Sequence, residues 1–459
     1  MSSDTSPTAV EAAVESLRDH PWISTARTDG TGGVRLTPAE SALTSAPEPG
    51  ALVTEFLDHW GELYDWTYTE AGARHSADLD LSGWRASDTG LPFPVAHMRQ
   101  WVDHAVRLVL ETSPELVLEL GCGTGLLAHR LRDRVAGYVG TDVAPAAVDT
   151  LNREAHPGTA FVRAAAHEAG ADHVRAALES VSGPAARPDC VVLNSVTQCF
   201  PDLGYLRAVL HGAIDLVRPG GTVVVGDVRH AGLLVEYCRW VERSVAPDAP
   251  PEVIEERAAL RAVRDDELLF DPAALASLAR ESPRRVRMGV RAKTMTEATE
   301  LTRYRFDAVL TVDAPEPAEV PTVVTWPDLP AEADALARVR ALTEGASAVL
   351  VAEVPNGALV PDAPGAAELD RLVGSRGCVA LDAANPWKLG VASPRSVATR
   401  PVTEPSGQGQ AHEPLWPFVR RRLAEAARTH LRRHLPRARS VPIAVELPSA
   451  EPRRRDFSG

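Results

Sequence analysis

The sequence predicts an α/β fold in which a seven-stranded, mostly parallel sheet is covered by helices on both faces. Between residues 115 and 227, short apolar runs alternate with amphipathic stretches, a pattern typical of strands and crossover helices. The first run is followed at once by a glycine-rich turn. Because ligands bind at the carboxyl ends of the strands in such sheets, we expect the site at that edge.

Seven segments have the length and apolar composition of buried strands. They lie at 115–120, 137–142, 159–163, 189–194, 222–227, 284–291 and 304–312. Between the fifth and the sixth, residues 230–281 are charged and helical in pattern, and they are too long for a simple crossover. We expect them to form a helical lid over the site.

The regions on either side of the sheet are less regular. AlaProGluProGly at 46–50 has the composition of a domain boundary, and the aromatic-rich helix after it carries Trp60, Tyr64 and Trp66. Aromatic stripes of this kind are more often core than ligand contacts, so both interpretations stay open here. After the sheet, residues 316–400 are expected to add further α/β structure.

The length, net charge and cysteine content of the chain exclude some classes of function. The chain has 459 residues, enough for two or three domains, and its formal net charge of −14 argues against general nucleic-acid binding. Its five cysteines form no CxxC pair, which favours a reducing cytoplasm. The N-terminus lacks the features of a signal peptide, and no apolar run reaches the roughly 18 residues of a membrane span. We therefore expect a soluble, cytoplasmic protein.

The spacing of the glycines indicates the kind of ligand. They stand at every second position from Gly121 to Gly125, and the acidic Glu119 precedes them. A dinucleotide fingerprint has its third glycine three residues after the second, where this chain has Leu126, so NAD is not expected. Asp142 ends the second strand, where a carboxylate can accept hydrogen bonds from ribose hydroxyls.

These features resemble the first motif of class I S-adenosylmethionine-dependent methyltransferases. From about 55 to 315 the chain resembles the methyltransferase domains, mostly N-methyltransferases, that are embedded in nonribosomal peptide synthetases. The matching stretches are WGELYDWTY, GWRASDTGLPFP, LELGCGTG, VGTD, VLNSVTQCFPDLGYL, LVRPGGTVVVGDVRHAGLLVEY, DDELLFDPAAL and TELTRYRFDAVL. The resemblance implies a Rossmann-like fold that binds S-adenosyl-L-methionine and releases S-adenosyl-L-homocysteine.

The flanking segments are similar to the small C-terminal subdomain of adenylation domains, which such synthetases split by inserting the methyltransferase. The resemblance implies a small α+β subdomain built from both chain ends. The expected divisions are the first part of that subdomain, the methyltransferase domain, an α/β extension, a linker and the second part of the subdomain, at 1–45, 51–315, 316–400, 401–414 and 415–459. The adenylation core is missing, and SerAlaGluProArgArgArgAspPhe replaces the segment with the catalytic lysine. The chain is therefore expected to be freestanding and not to activate amino acids.

Candidate site residues follow from the motifs and the resemblance. The cofactor is expected to contact Tyr64, Trp84, Ser87, Glu119, Gly121, Cys122, Gly123, Gly125, Asp142, Val143, Ala166, His167, Asn194 and Ser195. The residues expected to move the proton or orient the acceptor are Asp227, Glu300, Arg229 and Tyr304. Two alternatives stay open, namely that Glu300 and Arg303 form an ordinary surface pair and that Asp227 caps the following helix.

No metal site is expected. His430 and His434 have the i, i+4 spacing of metal ligands, but they lack a third ligand nearby. The chemistry also needs none, because the resemblance implies an in-line displacement of a methyl group that is already activated. The arginine-rich helix at 418–439 is expected either to present a solvated face or to dock an acidic carrier protein or synthetase.

The acceptor is less firmly indicated than the cofactor, because several positions depart from the family pattern. Thr299 replaces the signature asparagine, Cys199 stands where tyrosine is usual, and Arg85 and Asp88 change the loop after Trp84. The leading hypothesis is N-methylation of an aminoacyl or peptidyl unit on a carrier protein in trans. The alternatives are N-, O- or C-methylation of a free metabolite and a non-catalytic docking partner of a synthetase.

Overall fold

The computed structural model describes most of the chain in two compact units. The described residues are 7–29, 32–46, 48–70, 74–76, 78–154, 156–316, 319–329, 332–345, 348–402, 409–435 and 441–447. The larger unit consists of Gly61–Phe200 and Leu206–His412. The smaller unit consists of Met1–Trp60, Pro201–Tyr205 and Glu413–Gly459.

Helices and strands alternate through most of the described chain. The helices are α1 Pro7–Glu15, α2 Glu40–Leu43, α3 Ala51–Glu70, α4 Val95–Leu110, α5 Ala128–Leu131, α6 Pro145–Arg153, α7 Asp172–Ser182, α8 Leu203–Leu216, α9 Leu234–Val245, α10 Pro251–Val263, α11 Pro272–Arg280, α12 Glu300–Arg303, α13 Glu332–Glu344, α14 Ala366–Val373 and α15 Leu415–His434. The strands are β1 Ile23–Thr28, β2 Val34–Pro38, β3 Arg74–Ser76, β4 Leu79–Asp80, β5 Leu116–Leu120, β6 Gly137–Asp142, β7 Thr159–Arg163, β8 Cys190–Asn194, β9 Thr222–Arg229, β10 Leu269–Phe270, β11 Val286–Ala292, β12 Arg305–Val312, β13 Thr322–Thr325, β14 Val349–Pro355, β15 Cys378–Leu381, β16 Lys388–Ser393, β17 Arg400–Pro401, β18 Ala411–His412 and β19 Ile443–Val445.

The seven predicted strands are neighbours in one sheet. Their order is β7-β6-β5-β8-β9-β12-β11, and β7 to β9 pair in parallel while β12 is antiparallel to both of its neighbours. The order reverses between β5 and β8, so a crevice opens at their carboxyl ends. The Rossmann-like α/β fold is confirmed, and this switch point places the glycine turn beside the end of β8.

The sheet is longer than the predicted seven strands, and that number is wrong as a total. Beyond β11 it continues through β15, β16, β14 and β13, and β17 pairs with β11 as well, which makes twelve strands among the described residues. The extension at 316–400 supplies most of these added strands. The physical reason is that the outer edge of β11 would otherwise present unpaired backbone N–H and C=O groups.

The core of the larger unit lies between the central strands and the helix before them. β5 and β8 are buried along their whole length, which explains their continuous apolar sequence. On α4 the apolar residues recur at helical spacing, and Met98, Trp101, Val102 and Ala105 all enter the same core cluster. Burying each large apolar side chain stabilises the fold by about 1.5–3 kcal/mol before the loss of chain entropy is counted.

The segment predicted to be a lid is helical. α9, α10 and α11 fill most of residues 230–281, and α9 and α10 pack against each other through Cys238, Ala258 and Ala262. Within the predicted linker at 401–414, Ala411–His412 forms β18 and pairs with β10. Its residues 403–408 lie outside the described residues.

The smaller unit contains a three-stranded sheet built from both ends of the chain. β1 and β2 pair antiparallel, and β19 adds in parallel to the other side of β2. The first residues of α3, 51–60, group with this unit, whereas the predicted methyltransferase domain begins at 51, and the predicted domain divisions stay a prediction. Its identity as an adenylation-type subdomain stays a prediction, and the segment that replaces the catalytic lysine region lies outside the described residues. In the described part of the chain, no helix is long and apolar enough to cross a membrane.

Candidate cofactor and acceptor site

The glycine turn after β5 has a backbone conformation that only glycine adopts easily. Gly121, Gly123 and Gly125 have φ values of +80°, +50° and +81°. A Cβ on Gly121 would lie 2.5 Å from a methyl carbon of Val196, and one on Gly125 would lie 2.5 Å from a methyl carbon of Leu151. The turn therefore presents bare backbone at the crevice because side chains are excluded both by conformation and by space.

Asp142 is fixed to this turn by its own side chain. One carboxylate oxygen accepts from the backbone N–H of Gly123 at 2.8 Å, and the other accepts from that of Ala144 at 2.9 Å. Burial raises the pKa of Asp142, and these backbone bonds oppose the rise. The carboxylate lies at the end of β6 beside the turn, where it was predicted to hold a ribose.

Glu119 lies beneath the turn. The Tyr138 hydroxyl donates to its carboxyl group, and both side chains are buried. Burial, with a smaller contribution from the charge of Asp142, raises the pKa of Glu119 to about 8. The group is therefore largely protonated at neutral pH, so it supports the turn from inside the sheet.

Tyr68 crosses the turn from above and was missed by the sequence analysis. Its hydroxyl is only 3.0 Å from the position of a Cβ on Gly123, and its ring lies 5.6 Å from that of Tyr64. Burial raises its pKa well above the ordinary value, and the charge of Asp142 adds to this. The signal was present, because Tyr64 and Tyr68 have the i, i+4 spacing that puts two side chains on one face of α3.

The same helix is tied to the end of β6. Asp65 accepts a hydrogen bond of 2.8 Å from the backbone N–H of Ala146, in the first turn of α6. Gly61 lies close enough to Val143 that an added Cβ would be 3.6 Å from its methyl carbon. Val143 is 37% exposed, so this predicted cofactor contact remains accessible.

The other predicted cofactor residues lie around this crevice or beneath it. Cys122 is a buried residue of the turn, Ala166 and His167 lie in the 3₁₀ turn Ala166–Glu168, and burial lowers the pKa of His167. Asn194 ends β8, and Ser195 follows it with a φ of +54°.

Trp84 packs against the core. Its ring centroid lies 4.5 Å from that of Trp101, so it contributes to packing. Tyr64 contacts Cys199, whose Sγ lies 3.8 Å from the Tyr64 hydroxyl. Trp84 was predicted to contact the cofactor; it packs in the core, and its cofactor contact stays a prediction.

Asp227 lies at the centre of a buried ionic network. One carboxylate oxygen accepts from Trp101 Nε1 at 3.0 Å and lies 3.1 Å from Lys293 Nζ, and the other accepts from Arg305 at 2.5 Å. Burial alone would raise the pKa of Asp227, but Arg305, Lys293 and the Trp101 bond outweigh it, so the pKa is lowered. The helix-cap alternative is wrong, because these three partners hold the carboxylate while His230 accepts from Gly232 N–H in the next turn.

Asp307 and His104 also belong to this network, and neither was predicted. Asp307 accepts from Lys293 Nζ at 2.6 Å and from the backbone N–H of Asp227 at 2.7 Å. Its second oxygen lies 2.8 Å from Nε2 of His104. Burial opposes the ionised form of Asp307, but Lys293 and His104 hold its pKa well below the ordinary value. Asp227 is therefore a fixed negative charge and a poor proton acceptor.

Glu300 is better suited to accept a proton. Its two oxygens accept from the backbone N–H and the hydroxyl of Ser87 at 2.8 and 3.0 Å. It is only 5% exposed, so the alternative of a surface pair with Arg303 is wrong. Burial raises its pKa, against the opposing influence of Arg305 and the Ser87 bonds.

Arg229 and Tyr304 have partners other than those expected. Arg229 forms a bidentate pair with Asp265, at 2.8 Å for both bonds, and a further bond of 2.7 Å to Glu267. Its guanidinium also lies over the ring of Tyr237, 4.8 Å from the centroid. Tyr304 packs edge-on against the same ring, and burial raises its pKa to about 12. Both side chains therefore join the end of the sheet to the segment predicted as a lid.

The described residues fit an adenosyl-sulfonium ligand. Bare backbone, the carboxylate of Asp142 and the aromatic rings of Tyr64 and Tyr68 lie together at the carboxyl edge of β5 and β6. Gln198 adds a buried side-chain oxygen that has no hydrogen-bond partner among the described residues. No three His, Cys, Asp or Glu side chains of that part of the chain lie close enough to hold a metal.

Comparison with known families agrees with this geometry. Residues 118–223, from β5 to the start of β9, match the family model described as a methyltransferase domain. The match covers the glycine turn, Asp142 and the end of β8.

Curated relatives extend the similarity over most of the chain. Chondramide synthase of Chondromyces crocatus is 33% identical over 334 residues, which are 70% of this chain and 8% of the relative. A probable non-canonical nonribosomal peptide synthetase of Salinispora arenicola is 34% identical over 322 residues, 68% of this chain and 4% of the relative. The chain thus spans less than a tenth of the length of either relative.

Solved structures with a similar fold are more distant. The N-methyltransferase NodS of Bradyrhizobium japonicum, in complex with S-adenosyl-L-homocysteine, is 13% identical, with a TM-score of 0.32, over 48% of this chain and 88% of that one. A likeness at this level carries no argument about function. From the family match and the synthetase relatives, the chain contains a class I, S-adenosylmethionine-dependent methyltransferase domain that is homologous to segments of nonribosomal peptide synthetases.

Proposed function

We propose that the protein transfers a methyl group from S-adenosylmethionine to the amino nitrogen of an aminoacyl or peptidyl unit that a carrier protein holds in trans. The observation that carries this proposal is the position of Glu300. It belongs to the segment TELTRYRF, which resembles the signature of the embedded N-methyltransferases, and its carboxylate is buried beside Ser87 with a raised pKa.

When bound, S-adenosylmethionine would supply a methyl group that its sulfonium sulfur has already activated for in-line displacement. The chain's own task is then to align donor and acceptor and to remove one proton. Asp142 and the glycine turn would hold the ribose and the amino-acid part of the donor. Tyr64 and Tyr68 would cover them and exclude water.

The acceptor amine must be neutral when it attacks, and an α-amino group titrates near about 7.7–8.0. Glu300 would take the proton that nitrogen loses as the N–C bond forms and the bond from sulfur to the methyl carbon breaks. Asp227 would not exchange protons, because Lys293 and Arg305 hold it ionised. We assign it instead a positioning role, because its carboxylate holds Lys293 and Arg305 at this end of the sheet.

A second candidate is methylation of a free metabolite. Two departures from the family pattern, Thr299 and Cys199, favour it because of the contacts that they make. The Thr299 hydroxyl lies 2.9 Å from Nε2 of His97, and Cys199 contacts Tyr64. These contacts change the surroundings of the acceptor, whereas the complete glycine turn argues against a purely structural partner.

For the carrier protein, we propose the exposed side of α15 as the docking surface. Arg421, Arg428, Arg432 and Arg433 are exposed on this helix. Arg422 is instead paired with Glu55 and Glu425 inside the smaller unit. Carrier proteins that are acidic would be attracted to such a surface. Residues 436–439 of the predicted basic helix lie outside the described residues.

The test is a methylation assay with S-adenosylmethionine and an aminoacyl-loaded carrier protein, followed by intact-protein mass spectrometry. The proposal predicts that the loaded carrier gains the mass of one methylene and that the Glu300→Gln variant loses most of this activity. Glu297→Gln is the matched control, since this neighbouring carboxylate is exposed. Methylation of the free amino acid but not of the loaded carrier would reject the tethered acceptor and leave the second candidate.

A further inference from the structure

A narrow cavity opens at the carboxyl ends of β9 and β11, where the extension packs against the methyltransferase sheet. The empty space within it, open solvent included, is about 320 Å³. From the sheet side it is lined by His230, Lys293, Arg303 and Arg305, and from the extension by Asn356 and Leu381, among others. The same sheet edge carries Asp227, so the cavity lies on the acceptor side.

His230 is buried in the wall of this cavity and leaves one ring nitrogen without a partner. It is 5% exposed, and its Nδ1 accepts a hydrogen bond of 3.1 Å from the backbone N–H of Gly232. A neutral imidazole that accepts at Nδ1 carries its hydrogen on Nε2. That Nε2 is buried and has no hydrogen-bond partner among the described residues. Because burial lowers the pKa of His230 to about 4, the ring is a neutral donor at physiological pH.

Arg303, Lys293 and Arg305 also bring donors to the cavity, while the Thr302 hydroxyl donates to the carbonyl of Glu297 at 2.6 Å. Arg303 has its Nε buried without a partner among the described residues, although its guanidinium also lies 5.9 Å from the ring centroid of Trp240. Lys293 and Arg305 lie against the cavity while their charges pair with Asp227. Among the described residues, no carboxylate lines the cavity. A ligand with acceptor atoms would supply the hydrogen-bond partners that His230 Nε2 and Arg303 Nε lack among the described residues.

The extension forms the opposite wall and holds it rigidly. Asn356 donates to the carbonyl of Pro386 at 2.9 Å and accepts from the backbone N–H of Ala358 at 3.1 Å. Its amide group is therefore satisfied by the protein itself. Because this wall is fixed, the donors on the sheet side of the cavity determine which ligand it binds.

We propose that this cavity binds one oxyanion group of the acceptor, a carboxylate or a phosphate, through His230 Nε2 and the guanidinium of Arg303. The inference rests on the proposed function, because it treats the cavity as part of the acceptor site. A carboxylate would belong to a free amino acid or similar metabolite. A phosphate would belong to the arm that links an aminoacyl unit to its carrier protein. In either case the extension is part of the acceptor site.

The test is isothermal titration calorimetry on the full chain with acetate and with inorganic phosphate at constant ionic strength. We expect at least one of the two probes to bind the wild-type protein. His230→Asn keeps a side-chain acceptor for Gly232 N–H but removes Nε2, and Arg303→Leu removes the guanidinium. Each change should weaken binding about tenfold.

Arg257→Gln, on the exposed side of α10, is the matched control and should bind as the wild type does. Tighter binding of acetate identifies the carboxylate, and tighter binding of phosphate identifies the carrier arm. Absence of binding by both probes, or unchanged binding in both cavity variants, overturns the proposal. Titration of S-adenosyl-L-homocysteine into the same samples tests the proposed function separately, because a failed cofactor site abolishes that signal alone.

Discussion

The ammonium group of Lys293 lies 3.1 Å from the carboxylate of Asp227, and neither side chain has appreciable contact with solvent. A second carboxylate, that of Asp307, shares the same ammonium at 2.6 Å. Two buried negative charges thus depend on one lysine, together with Arg305 on the far side of Asp227. The network compensates the buried charges at this end of the sheet and contributes to the stability of the fold.

Lys293→Met should destabilise the protein by about 3–5 kcal/mol, because it leaves two buried carboxylates short of compensation. Urea denaturation followed by circular dichroism measures this loss. The double variant Lys293→Met with Asp307→Asn should recover part of it, since one of the two charges is then removed. A loss below about 1 kcal/mol would show that solvent reaches this network.

Asp142→Asn should weaken S-adenosylmethionine binding about 10- to 100-fold, the effect of losing a charge-assisted hydrogen bond to a ribose hydroxyl. The asparagine still offers an oxygen to the backbone of the turn, so the fold should persist. Calorimetric titration measures the affinity. Asp149→Asn, at an exposed position of α6, is the control that should leave it unchanged. Equal affinity in all three proteins would exclude Asp142 as the ribose ligand.

The pH dependence of methylation should report on Glu300. Burial raises the pKa of this carboxyl group, so it loses the capacity to accept a proton as the pH falls through that raised value. We expect kcat/KM to decline on the acidic side through two protonations, that of Glu300 and that of the acceptor amine itself. Glu300→Gln should lower the rate by about 10²- to 10⁴-fold and leave only the decline that belongs to the amine. A pH profile that keeps the same acidic limb in the variant would assign the proton to another acceptor.

Glu119 should make the fold less stable as the pH rises. Its pKa is about 8 in the folded chain against an ordinary value of 4.5, so the folded state binds the proton more tightly. The stability that this proton provides is complete below pH 4.5 and is lost as the pH rises from there through about 8. Glu119→Gln should flatten the denaturation free energy across this window. Parallel curves for variant and wild type would contradict the assignment.

Much of the larger unit could be predicted because its signals are local. Continuous apolar runs identified the strands of the central sheet, and alternate glycines identified the turn after β5. The structure has this turn, with positive φ at each of its three glycines. The i, i+4 pair of Tyr64 and Tyr68 was visible in the same way, but only the folded helix shows that Tyr68 crosses the turn.

The buried charges could not be predicted. Lys293 and Asp307 are fourteen residues apart in sequence, and in a strand pattern a charged residue indicates the solvent face. These two residues come together only because β11 and β12 pair antiparallel. The contact between Arg229 and Asp265 likewise depends on how the lid segment packs, which periodicity does not encode.

The pairing of the extension with β11 determines how far the chain of this enzyme can be truncated. A fragment that stops near residue 315, as the domain pattern in the sequence suggests, would lose β15 and β17 and leave one side of β11 as a bare strand edge. Such an edge recruits other chains, so the truncated protein should aggregate. A version of this domain that is inserted into a nonribosomal peptide synthetase should therefore include the chain through residue 402.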